Sequence, residues 1–268
     1  MGKPGTKKTL TLRTFMPEEY RAGVEQGLAT LDDWAYIYAC DRKKDGGMAV
    51  LRGVKGIEHD VFVDRSVRSI VSVKRPRKVQ PREPVAIEKL VDKFNEHDSL
   101  IENGKFPFYM VALDTITGLT TGLFEEIMFK KRIDDPEAKA DLLALLRPSM
   151  YEIGDAQWYV MDYIKALLQF PCITVVVAHT SFDRDGDGNN RMFPKLPGQK
   201  INDDFLSLFD EVYYFEQKAG ETEVQVRTEG TLTIPARTSQ PALNTFEPPD
   251  YQVWKKKMEA YYATMLSD

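Results

Sequence analysis

The chain has 268 residues, of which 43% are hydrophobic and 29% charged; at about 150 residues per domain, this allows one large domain or two small ones with ample apolar material for a core. Its 36 Lys and Arg against 41 Asp and Glu leave a net charge of −5, which excludes a uniformly basic nucleic-acid coat protein but not a local basic patch. The charge is uneven: residues 1–105 carry 20 basic and 16 acidic side chains and residues 106–268 carry 16 and 25, so a polyanion site is expected to draw on the first part. Only two cysteines, Cys40 and Cys172, are present, both in apolar strand-like runs, which excludes a disulfide scaffold and points to a reducing cytoplasm. Purely apolar stretches span only a few residues and the polar amino terminus lacks a signal-peptide core, so no membrane association is expected.

In chain order, the first feature is Gly2-Lys3-Pro4-Gly5-Thr6-Lys7-Lys8-Thr9, which follows G-x-x-x-x-G-K-[ST] except that Lys7 stands at the second required glycine. Such a loop wraps main-chain N–H groups round phosphates, sets a lysine on the terminal phosphates and offers a hydroxyl to Mg²⁺; Lys8 and Thr9 supply the last two. The loop should also follow a buried strand, whereas Met1 alone precedes it here, so either an upstream strand exists or the fold lacks one. A basic tail with a chance match is the plain alternative. Trp34 to Cys40 reads as a strand, with Asp41 just beyond it. Residues 65–82 hold Arg65, Arg68, Lys74, Arg75, Arg77, Lys78 and Arg82 without an acid, and Pro76 and Pro81 discourage a helix, so an exposed basic insertion is expected.

Phe108 to Leu113 reads as a strand ending in Asp114, the arrangement that holds a Mg²⁺-bound water beside a P-loop hydroxyl; a helix-capping aspartate is the simpler alternative. The clearest helix runs from about Ile153 to Phe170, with Trp158, Met161, Ile164, Leu167 and Leu168 at helical spacing before Pro171. Ile173 to Ala178 is a further strand. Asp183-Arg-Asp185-Gly-Asp187-Gly188 opens like a calcium loop, but Pro194 stands where the bidentate glutamate belongs, so a solvated loop is expected. Val212 to Phe215 is a short strand. Glu223 to Arg227 and Thr231 to Ile234 alternate with period two around Glu229-Gly230 and predict an antiparallel hairpin. A C-terminal helix is expected from about Asp250, after Pro248-Pro249. Strands alternating with amphipathic stretches predict an α/β fold with a mainly parallel sheet flanked by helices and a C-terminal hairpin.

Taken in order, Gly-x-Pro-Gly-Thr-x-Lys-Thr, Tyr36 to Asp41, Ala112-Leu-Asp-Thr-Ile-Thr-Gly-Leu119, Val175-Val-Val-Ala-His179 and Leu196-Pro-Gly-Gln-Lys200 resemble the motifs of RecA-like P-loop ATPases. More narrowly, they resemble a phage-encoded group that includes single-strand annealing and recombination proteins with a RecA core. The resemblance spreads over nearly the whole chain, implying a single RecA-like domain over 1–268. It implies ATP and Mg²⁺ binding by Gly2 to Thr9 and Asp114, with Thr9 and Asp114 at the metal, homo-oligomeric assembly and handling of single-stranded DNA.

By position, the resemblance makes Asp41 the acid that orients attacking water, His179 a sensor of the terminal phosphate and Arg237 a basic residue able to reach a neighbouring subunit's phosphate. Each also has a plain structural reading: a turn carboxylate, a packed histidine and a surface arginine. The loop after Ile173 to Ala178 corresponds to a DNA-contacting loop, although its three acids would oppose Arg184, Arg191, Lys195 and Lys200. The expected function is therefore a DNA-dependent ATPase acting on single-stranded DNA. A non-hydrolysing binding or scaffold protein with a degenerate P-loop is the alternative. The seven basic residues of 65–82 are the candidate DNA-backbone contacts, and without an aromatic among them they would supply attraction with little base stacking.

Overall fold

Three apolar runs build the centre of the molecule, the first two buried throughout and the third half-buried at the sheet edge. In the computed structural model, which describes residues 1–3, 6–17, 34–41, 47–64, 84–133, 149–184, 188–196, 200–217 and 223–266, they are Ala35–Ala39 (β1), Met110–Asp114 (β3) and Ile173–Val177 (β4). With Ile57–Val61 (β2) they form a four-stranded parallel sheet in the order β2-β1-β3-β4. Ala35 is level with Met110 and Met110 with Ile173, so the carboxyl ends of β1, β3 and β4 finish together at Ala39, Asp114 and Val177.

Strand alternation divides the core between the two faces. Tyr36, Tyr38, Val111 and Leu113 face one side, packed with Leu90 of helix Ala86–Glu102 (α2) and with Ile116 and Leu119 of Ile116–Ile133 (α3). On the same side lie Val160, Ile164 and Leu167 of Met150–Leu168 (α4). Ala35, Ile37, Ala39, Met110 and Ala112 face the other side, against Leu12 of the short helix Lys8–Leu12 (α1) and against Met16, Met48 and Leu51.

The expected helix from Ile153 starts three residues earlier, at Met150. Ser149 and Glu152 form a capping box there: the Glu152 N–H donates to Ser149 Oγ at 3.3 Å and the Ser149 N–H to Glu152 Oε2 at 2.5 Å, satisfying two N–H groups that the helix cannot. Its buried stripe is Ala156, Val160, Ile164 and Leu167, whereas Trp158, expected on the apolar face, is 63% exposed.

Beyond β4 the chain makes an antiparallel pair, Thr180–Arg184 (β5) with Asn190–Pro194 (β6). The calcium-like run begins at the end of β5, and its residues 185–187 lie outside the described residues. Helix Lys200–Ser207 (α5) follows, then a separate antiparallel sheet of Tyr214–Glu216 (β7), Gln225–Arg227 (β8) and Phe246–Glu247 (β9). The expected hairpin is corrected here: β8 pairs with β7 and β9, while Thr231 to Ile234 forms a turn in which the Thr231 N–H donates to the Ile234 carbonyl. Helix Tyr251–Met265 (α6) begins where expected, with Asp250 Oδ1 accepting from the Gln252 N–H at 2.9 Å. Among the described residues no helix is long and apolar enough to cross a membrane. The basic insertion at 65–82 lies outside the described residues.

Candidate functional site

The carboxyl end of a parallel sheet gathers loops from several strands into one crevice, and in open α/β sheets this is where ligands bind. Four segments of interest meet at this end. Met1 and Gly2 run alongside the prolongation of β4: Gly2 pairs in parallel with His179 on one side and with Phe215 of β7 on the other. Three main-chain hydrogen bonds hold them. The Met1 ammonium donates to the Tyr213 carbonyl at 2.7 Å, the Gly2 N–H to the Ala178 carbonyl at 3.2 Å, and the Phe215 N–H to the Met1 carbonyl at 2.8 Å. Gly2 is confined by its neighbours, since a Cβ there would lie 2.6 Å from the Phe215 carbonyl oxygen.

From Gly2 the chain turns back over the sheet end. The buried Lys8 ammonium donates to the carbonyls of Gly2 and Lys3 at 2.9 and 2.7 Å and to Thr6 Oγ1 at 3.2 Å. Lys8 is thus held within the curl of its own loop. Lys7 adopts a left-handed conformation, with φ 56° and ψ 17°, and is the only non-glycine with positive φ among the described residues. The motif's missing glycine is therefore replaced by a residue forced into a glycine conformation. Residues Pro4 and Gly5 lie outside the described residues.

Thr9, at the second position of α1, donates its hydroxyl hydrogen to Asp114 Oδ2 in a short contact. Asp114 is 1% exposed at the last position of β3. It is followed by Thr115, whose Oγ1 accepts from the Gly118 N–H at 3.0 Å and so caps α3. The Cys40 N–H donates to the Asp114 carbonyl at 2.7 Å, which places Asp41 immediately beyond the strand pair, with its carboxylate beside Gly47. His179 lies two residues past Val177, and its N–H donates to Thr117 Oγ1 at 3.2 Å. Asp41, Asp114, His179, Thr9 and Lys8 are thereby brought to the same end of the sheet.

Arg237 is placed differently. Its guanidinium donates to the Leu206 carbonyl at 2.8 Å and to the Phe209 carbonyl, capping the last turn of α5, while its main chain pairs with Val212. Charge at a helix C-terminus is favourable on its own account. Arg65, Arg68, Lys74, Arg75, Arg77, Lys78 and Arg82 lie outside the described residues. Sequence reading gave no role to Thr115, Thr117 or Gly118, although all three belong to the run that begins at Asp114. The signal was available in the hydroxyls spaced one and three residues after a strand-terminal acid.

The site makes one prediction on stability alone. A non-glycine residue in the left-handed region costs about 1–2 kcal/mol, and glycine forfeits about 0.5–1 kcal/mol through the freedom of the unfolded chain. Lys7→Gly is therefore expected to stabilise the fold by about 0.5–1 kcal/mol, read as a higher urea midpoint at unchanged m. No protein-family model matches the chain, and no curated protein matches it.

Proposed function

We propose that this chain is a RecA-like P-loop protein of the phage-encoded recombination group that binds ATP with Mg²⁺ at the carboxyl end of its parallel sheet. It acts there as a DNA-dependent ATPase on single-stranded DNA, as a cytoplasmic homo-oligomer. The observation that carries the nucleotide reading is the direct contact of Thr9 Oγ1 with the buried Asp114 carboxylate, beside a buried lysine enclosed in its own loop. Hard oxygens from one or two protein groups, completed by phosphate oxygens and water, are what Mg²⁺ takes, and the Thr9 hydroxyl and Asp114 carboxylate fit that donor set. When bound, the ion would neutralise charge on phosphate oxygens.

The chain's own residues would do the rest. Lys8 would exchange the Gly2 and Lys3 carbonyls for phosphate oxygens, stabilising their charge as it develops. Asp41 would orient the attacking water, and His179, tied through its main chain to both Gly2 and Thr117, would register the terminal phosphate. Calorimetry with Mg²⁺ and ATP tests this. The parent is expected to bind weakly and only with Mg²⁺, Lys7→Gly more tightly, and Lys8→Ala at least tenfold more weakly, a loss of about 1.4 kcal/mol. Absence of binding by both the parent and Lys7→Gly would remove the nucleotide reading.

A second reading, a non-hydrolysing binding or scaffold protein, is favoured by the Arg237 guanidinium being engaged by the end of α5. An ATPase assay with and without single-stranded DNA separates the two. The DNA part rests on the seven basic residues of 65–82. Reversing the charge of Lys74, Arg75, Arg77 and Lys78 is expected to weaken single-stranded DNA binding and flatten its salt dependence, because fewer counterions are released. In a fluorescence-anisotropy salt titration, equal slopes and affinities for parent and variant would exclude this segment.

A further inference from the structure

Helix α4 carries two stripes on opposite sides. Ala156, Val160, Ile164 and Leu167 face the core, while Tyr151, Asp155, Trp158 and Asp162, spaced by four, three and four residues, run along the outer side. All four outer residues are exposed, Tyr151 by 84%. Aromatic ring and carboxylate thus alternate once per turn along about 16 Å of helix. Tyr159 stands edge-on to Trp158 with ring centroids 5.1 Å apart, which fixes the indole as a rigid anchor. Aromatic residues gathered on an exposed face mark a contact surface.

The pattern selects what fits. Single-stranded nucleic acid would stack on the rings, but Asp155 and Asp162 flank Trp158 and repel phosphate. A guanidinium or ammonium is attracted by the ring face and by the carboxylates alike. The complement lies on the opposite side of the sheet, in residues 47–57, which include no acid. There the turn Met48–Leu51 buries Met48 and Leu51 and leaves Val50 52% exposed, followed by exposed Arg52 and Lys55. The acids of the adjoining β2 do not interfere. Ile57 and Val61 pack on this side, whereas Glu58 and Asp60 are level with Tyr36 and Tyr38 and face the α4 side, where Asp60 accepts from the Tyr36 hydroxyl at 2.7 Å.

We propose that the outer face of α4 docks on the surface of Val50, Arg52 and Lys55 of a second copy of this chain, with that copy's Arg52 over the Trp158 ring between Asp155 and Asp162. Two copies of α4 face to face would set these carboxylates against their own kind, which disfavours a two-fold contact. The contact is therefore heterologous, and because its two halves lie on opposite sides of the sheet it repeats from molecule to molecule. This deepens the homo-oligomeric part of the functional reading and rests on it; nucleotide and DNA do not enter. One helix face is a small interface, so the assembly is expected to be reversible, concentration-dependent and weakened by salt.

Sedimentation velocity over a concentration series at low and high salt tests the pairing on the parent and three variants: Asp155→Lys with Asp162→Lys, Arg52→Glu with Lys55→Glu, and Trp158→Ala. Every changed side chain is exposed, so each variant is expected to keep the parent's circular dichroism. The parent is expected to self-associate, more tightly at low salt, and each variant alone about tenfold more weakly or worse. An equimolar mixture of the two charge variants is expected to recover the parent's association, since each reversed surface then meets its reversed counterpart; damage to the fold would not be repaired by mixing. A parent that stays monomeric at every concentration and salt overturns the homo-oligomeric reading and the proposal with it. A parent that associates while the charge variants do so equally, or a mixture no better than its components, overturns these two surfaces alone.

Discussion

Gly118→Ala is expected to lower stability by about 3 kcal/mol or more, the upper end of the cost of forcing extra volume into a packed interior. A Cβ at Gly118 would lie 1.8 Å from the Cys40 carbonyl oxygen, 2.5 Å from its carbon and 3.1 Å from the Asp41 nitrogen. The obstacle is main chain at the end of β1, so no rotamer change relieves it, and α3 must lift off the sheet. Helix propensity works the other way, since alanine is favoured over glycine by about 1 kcal/mol in a helix interior. The contact geometry decides the sign. Gly154→Ala is the control: it lies within α4 with nothing within 4 Å of a Cβ, and it is expected to stabilise by up to about 1 kcal/mol. Urea unfolding of both variants checks this pair, and a Gly118→Ala protein as stable as the parent would refute the close approach. The displaced α3 begins two residues after Asp114, so the same substitution is also expected to disturb the sheet end.

Acid is expected to destabilise the fold through His97 well before most carboxylates protonate. His97 is 2% exposed among Tyr36, Tyr38, Phe106 and Phe108, with the Tyr38 hydroxyl 2.5 Å from its Nδ1. Burial, helped by the Lys93 charge and opposed by Glu96 and Asp60, pushes its pKa down to about 4. In the unfolded chain a histidine titrates near 6.5. Between these values the unfolded state binds the extra proton, so stability is complete above pH 6.5 and falls as the pH drops towards 4. The total loss is about 3 kcal/mol, of which about 2 kcal/mol falls between pH 6.5 and 5. Denaturant titrations at stepped pH measure the slope. Replacing His97 and Tyr38 together by phenylalanine removes both hydrogen-bonding partners at similar shape, which can be nearly neutral at pH 7. That double variant is expected to lose this part of the slope, and an unchanged slope would assign it to other groups.

β1 and β3 were legible because a strand covered on both faces reads as an unbroken apolar run, and β4, a half-buried edge, because Ile-Thr-Val-Val-Val is dense in β-branched residues. β2, at the sheet edge, was not: Ile-Glu-His-Asp-Val exposes its three central residues and carries no such run. The hairpin around Gly230 failed for a different reason. Alternation at Thr231 to Ile234 is a local pattern, whereas the partners of β8 are 214–216 and 246–247, brought in by tertiary packing. Trp158 was misplaced because helical spacing identifies a stripe but not its boundary, and α4 buries the smaller Ala156 and Val160 instead. At the sheet end, the meeting of Thr9 with Asp114 was expected from their places in the sequence, one in the glycine-containing loop and the other at the end of a strand. Arg237 shows the opposite case, since distance along the chain after a strand does not say which way a long side chain turns.

The anchoring of Met1 also bears on the order in which the molecule is assembled. Its nitrogen bonds to Tyr213, 212 residues away, and Thr14 accepts from the Tyr251 N–H across 237 residues. During synthesis at about 5–20 residues per second, Met1 and Thr14 must therefore wait roughly 10–50 seconds for the partners that fix them. The loop carrying Lys8 leaves the ribosome well before the residues that set it in place. The shape of the sheet end consequently depends on residues made much later: a product that lacks residues beyond about 212 keeps the sequence of the loop but not the framework that shapes it.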